Sequence, residues 1–82
     1  MDVKIEHNLD VRGMVNPLAL LKVRKAFREI NPGETLEILI GDSETQVDLL
    51  RVLSSDACLV RHLEEINAGG SYYRIQLEKR KL

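Results

Sequence analysis

Few residues in this 82-residue chain are of a type that does chemistry: one cysteine, Cys58, two histidines, His7 and His62, and acids mixed among bases. A thiol acts as nucleophile or metal ligand only as the thiolate, which a nearby cation or a helix N-terminus must stabilise. Nothing beside Cys58 is an obvious activator, although Arg61 and His62 are near, so the residue reads first as a small buried hydrophobe and second as a reactive thiol. On a regular strand Cys58 and His62, four apart, face the same side. Two donors are too few for a structural zinc, so no metal site is expected. His7 sits among alternating apolar residues and is expected to be packed and hydrogen-bonded. Asp10 and Arg12 are spaced for a local ion pair that shapes a turn. There is no Ser-His-Asp order, phosphate-cradling glycine loop or pair of acids, so no cofactor, small-molecule substrate or catalytic residue is expected, Cys58 remaining the alternative.

The elements that would position these residues follow from periodicity. Val3, Ile5, Leu9 and Val11, with His7, alternate with Lys4, Glu6, Asn8 and Asp10, the pattern of a half-buried strand. Gly13 permits a sharp turn, and Asn16-Pro17 suits the start of a helix, with Asn16 as cap and Pro17 first. Ala19, Leu20, Val23, Ala26, Phe27 and Ile30 then mark one helical stripe, which Asn31-Pro32-Gly33 ends. Leu36, Ile38 and Ile40 define a second strand. Asp42 and Ser43 offer a cap, Ser43 with Gln46 has capping-box spacing, and Val47, Leu50 and Leu53 form the expected buried line of a second helix that stops at Ser54-Ser55-Asp56. A third strand runs from Cys58 to Glu65. Its phase is ambiguous, because Leu59 and Leu63 favour one face and Cys58 and Val60 the other, which a bulge would reconcile. Asn67 to Gly70 reads as a hairpin turn, followed by a strand burying Tyr73, Ile75 and Leu77.

The order β-α-β-α-β-β, with right-handed crossovers, places both helices on one face of a mixed four-stranded sheet, an α+β (α/β) two-layer sandwich. One domain over 1–82 is expected, ending in a basic, mobile tail over 79–82. Net charge is -1, which gives no global field toward nucleic acid or an anionic membrane. A lone cysteine cannot close an internal disulfide, and no apolar run reaches the roughly 20 residues that span a bilayer. A cytoplasmic location without membrane attachment is expected.

The run Leu9-Asp10-Val11-Arg12-Gly13, with Asn16-Pro17 opening a helix, resembles the TusA/SirA family of small sulfur-carrier proteins. Pro32-Gly33-Glu34-x-Leu36-Glu37-Ile38, Asp42, Asp48 and Tyr73-Arg74-Ile75 extend the resemblance over nearly the whole chain. It implies the same β-α-β-α-β-β fold and protein partners from a sulfur-relay or redox system. In that family a Cys-Pro-x-Pro motif at the helix mouth carries the sulfur-accepting thiol, where the macrodipole favours the thiolate. Here the motif reads Asn16-Pro17-Leu18-Ala19, and an amide is no nucleophile.

A surface remains. Leu18 and Leu21 fall outside the buried stripe of the first helix. With Met14 and Val15 they make an apolar cluster rimmed by Lys22, Lys25 and Arg28, the composition of a protein-docking patch. The bland alternative is scattered surface leucines. The expected function is therefore a TusA/SirA-like domain without the sulfur-accepting cysteine, serving as a non-catalytic binding or regulatory module. One alternative is a sulfur carrier working through Cys58. Another is an RNA-binding module, suggested by similarity of the element order to the C-terminal domain of translation initiation factor three. Three aromatic residues, none of them Trp, and a balanced charge argue against RNA.

Overall fold

The structure is a computed structural model that describes residues 5–15, 17–53 and 58–81. Asn16, the Val3 end of the first strand, the Ser54-Ser55-Asp56 stop and Leu82 lie outside the described residues. The elements are β1 (His7–Asp10), α1 (Leu18–Glu29), β2 (Thr35–Ile40), α2 (Ser43–Leu53), β3 (Cys58–Asn67) and β4 (Ser71–Lys79). They form one four-stranded sheet in the order β1-β2-β4-β3, with β1 and β2 parallel and the other pairs antiparallel. Of the described residues in the expected first strand, Ile5, Glu6 and Val11 lie outside β1, whose ladder with β2 starts where His7 meets Leu36.

Apolar alternation in the central strands decides the layering. Leu36, Ile38 and Ile40 on β2 lie beside Leu77, Ile75 and Tyr73 on β4, all on one face. Ala19, Val23 and Phe27 of α1 and Leu49 and Leu53 of α2 pack against that face in a single cluster, which also takes in Val11, Ile30 and Cys58. The opposite face is polar. Gln76 donates to Glu37, and Arg74 lies between Glu37 and Glu64.

α1 opens at Leu18, one residue later than expected, with Pro17 just outside it. It ends where Ile30 turns to an extended conformation, and Gly33 then takes φ 90° beneath the Lys81 side chain. In α2 the buried line is Thr45, Leu49 and Leu53, not the Val47, Leu50 and Leu53 expected; Val47 and Val52 are largely exposed. The two stripes are adjacent on a helix of 3.6 residues per turn, and docking on the sheet selects between them. The cap is Asp42, which accepts the Thr45 amide at 2.9 Å. The expected Ser43–Gln46 box does not form, since the Gln46 amide bonds the Asp42 carbonyl instead.

β3 carries the bulge that its ambiguous phase suggested. Val60 pairs with Leu77 and His62 with Gln76, leaving Arg61 as the extra residue. The expected tail also starts later: Lys79 belongs to β4, and its ammonium donates to the carbonyls of Arg28 (3.1 Å) and Ile30 (2.9 Å) over the Phe27 ring. It caps the C-terminus of α1, where cations are favoured. Beside it the Glu34 carboxylate accepts the Asn31 amide and contacts His7 at 3.0 Å. His7 is thus half-buried and hydrogen-bonded, as expected.

Lys79→Ala should lower unfolding free energy by about 1 kcal/mol in urea titrations, through loss of the cap and the ring contact. The exposed Arg80→Ala should stay within about 0.5 kcal/mol of the parent. The Asn31 amide first, and His7 second, hold the Glu34 carboxyl below its ordinary 4.5. Its contribution is therefore full above that value and is lost as pH falls through the lower folded value. Glu34→Gln should flatten this part of the acid limb of a stability–pH curve, leaving stability below it little changed.

Candidate functional site

β1 and β2 are parallel neighbours, so the turns that follow them leave the sheet at the same end. These are the Val11–Pro17 approach to α1 and the Gly41–Asp42 approach to α2. They pack closely: a side chain at Gly41 would come within 3.4 Å of the Gly13 amide nitrogen. The first turn is held as its sequence suggests. Asp10 accepts the Arg12 amide (3.0 Å) and takes its guanidinium on both oxygens, at 3.0 and 2.8 Å. The Arg12 side-chain bonds lead in holding the Asp10 carboxyl below its usual range. Gly13 follows at φ 84°, a conformation costly for any residue with a Cβ. The Arg12 guanidinium also lies 4.7 Å from the Tyr72 ring centroid, tying the turn to β4, a contact no local sequence signal announces.

This turn delivers Met14 and Val15 to the mouth of α1. From there the outward side of the helix continues through Leu18 and Leu21, which lie opposite the Ala19–Val23–Phe27 stripe. Val15, Leu18 and Leu21 are 70, 60 and 55% exposed. A shallow groove of about 360 Å³ runs between Met14, Leu18, Leu21, Lys22 and Lys25. A neighbouring depression at Lys25, Arg28 and Glu29 extends the basic end. Met14, Val15, Leu18, Leu21, Lys22, Lys25 and Arg28, predicted from sequence as one patch, thus lie along one side of α1 and its mouth.

The other flank was not anticipated. Met14 and Val15 also border a second depression, formed with Asp42, Glu44 and Thr45 at the start of α2. Local patterning of α2 does not reveal this, but the parallel pairing of β1 and β2 requires it. Read along its length, the strip is acidic at one end, mainly apolar in the middle with Lys22 on its flank, and basic on balance at the other, where Lys25 and Arg28 outnumber Glu29.

Cys58 lies elsewhere. It is 8% exposed, pairs with Lys79 across the β3–β4 ladder and belongs to the core. Burial pushes its thiol up, against a smaller opposing influence from Arg80. The bulge also overturns the expectation that Cys58 and His62 share a face. Cys58 points to the helices, whereas His62 sits on the polar face, 3.2 Å from Glu64. Among the described residues no three His, Cys, Asp or Glu side chains group as metal ligands, and no helix is long and apolar enough to cross a membrane.

Fold and site together define a two-layer α+β domain with an exposed strip at its first helix. The family described as Sulfurtransferase TusA matches residues 7–79, and the chain belongs to it. The crystal structure of a SirA-like protein from Desulfitobacterium hafniense is similar in fold, with a TM-score of 0.72 at 14% identity. The match covers 93% of this chain and 100% of that one.

The buried thiol should be slow. In the folded protein Cys58 should react with an aromatic disulfide reagent at least about tenfold more slowly than after unfolding at the same pH. Equal rates would mean that the β3 edge opens freely.

Proposed function

We propose that this chain is a TusA-family domain that binds protein partners of a sulfur-relay system without itself carrying sulfur. The observation that carries this reading is the exposed apolar strip Met14–Val15–Leu18–Leu21, bordered by Lys22, Lys25 and Arg28. The partner suited to it presents an apolar side chain flanked by carboxylates, which the rim would orient. The missing nucleophile supports a non-catalytic role. Asn16 stands where the resemblance puts the sulfur-accepting cysteine, and the one thiol in the chain is buried with its ionisation disfavoured. Those features also weigh against a carrier working through Cys58. RNA binding has less support still, because the open sheet face carries paired Glu37, Glu64 and Arg74 and its one aromatic, Tyr72, is covered by Arg12.

Two measurements test the reading. After incubation with a cysteine desulfurase and cysteine, the intact mass should be unchanged; a gain of one or more sulfur atoms, absent in Cys58→Ser, would establish a carrier instead. In binding assays against desulfurases and downstream relay proteins, Leu21→Asp should weaken capture by at least about tenfold, as for a central interface residue. Unchanged capture by the folded variant would remove the strip from the account.

A further inference from the structure

The charge order along the strip has a symmetry property. Asp42 and Glu44 stand at the Met14–Val15 end, Leu18 and Leu21 occupy the middle with Lys22 on its flank, and Lys25 and Arg28 stand at the far end with Glu29 beside them, two cations to one acid. A strip that reads acidic, apolar, basic matches a copy of itself turned end for end: each acidic end meets a basic end, and the apolar middles meet each other. That operation is a two-fold axis, which generates the commonest closed assembly, with the same patch used on both sides. A parallel or head-to-head arrangement would instead set cations against cations.

The geometry of α1 suits this arrangement. Leu18, Leu21, Lys25 and Arg28 project on the side away from the sheet, so two copies of α1 can approach antiparallel with no strand in between. The distance from Leu18 to Arg28 along the helix is about 15 Å, so crossing near Leu21 brings the basic end of one copy to the other's helix mouth. Among the described residues Lys25, Arg28 and Glu44 enter no ion pair within the chain, which leaves them available across such an interface.

We propose that two copies of this chain associate through α1 about a two-fold axis near Leu21, pairing Lys25 and Arg28 of each copy with Glu44 and Asp42 of the other. This rests on the same strip as the partner-docking reading and adds to it that self-association and partner binding exclude one another. The interface is small and its ion pairs are exposed, so the dimer is weak and loosens with salt.

Charge exchange tests this with the protein alone. Sedimentation equilibrium up to about 1 mM should show a reversible monomer–dimer equilibrium. Lys25→Glu and Glu44→Lys should each weaken it by about tenfold, since two-fold symmetry makes every substitution count twice. Combining both in one chain should restore association to within about threefold of the parent, and so should mixing the two single variants in equal amounts. Asp42 is left intact because it caps α2, and circular dichroism confirms folding of each variant. No self-association at 1 mM, single variants that dimerise like the parent, or a double variant no better than the singles would each overturn the proposal. Because no partner or sulfur donor is present, such a result leaves the docking reading standing. Loss of docking with an intact dimer would remove only the docking reading.

Discussion

The described elements are arranged around one apolar seam, where Leu36, Ile38 and Ile40 of β2 and Ile75 and Leu77 of β4 meet the inward sides of two helices. A chain of 82 residues can close about one such core. The seam is therefore both the source of stability and the device that sets where the helices lie. Side chains alternate along the strands, so burying these five residues sends Glu37, Arg74 and Gln76 to the other face, where Gln76 donates to Glu37 and Arg74 donates to Glu64, the Arg74 Nε being left without a hydrogen-bond partner. The same seam fixes the roll of each helix. With Ala19, Val23 and Phe27 turned inward, Leu21 and Lys25 have no direction left but outward.

The end of the molecule where both helices begin follows from the parallel pairing of β1 with β2. Two parallel neighbours must each hand the chain to a helix at the same end of the sheet, so the entries to α1 and α2 become neighbours although some 25 residues separate them. The Asp10–Arg12 fork and Gly13 hold the first entry in shape, and Asp42 holds the second by capping α2. Both turns are thereby held in fixed shape beside the exposed side of α1.

The remaining thiol illustrates how burial decides chemistry. Cys58 has Arg61 and His62 near it in sequence, neither an obvious activator, and the sequence favours a buried, unreactive thiol. In the fold it is enclosed by the core, and desolvation outweighs the influence of Arg80. At the bulge, Arg61 and His62 both lie on the polar face, where Arg61 pairs with Glu78 and His62 with Glu64. The inserted residue turns His62 away from the face that Cys58 occupies, whereas Arg61 would lie on the polar face in a regular ladder as well.

Much of this was legible in the sequence because it depends on short-range pattern. The period-two strands, the α1 stripe, the stops at Gly13 and Asn31-Pro32-Gly33, the Asp10–Arg12 pair and the outward Leu18 and Leu21 all follow from spacing and residue type, and the absence of a cysteine at position 16 is a fact of the sequence alone. What sequence left open were choices between locally equivalent alternatives. α2 could bury either of two adjacent stripes, and β3 could face either way until the bulge was placed. Lys79 looked like tail until the end of α1 supplied carbonyls for it to cap. Glu44 joined the strip only because strand pairing brought two turns together. Local propensity has no information about which distant segment arrives beside a residue; packing of the whole chain around one core supplied it.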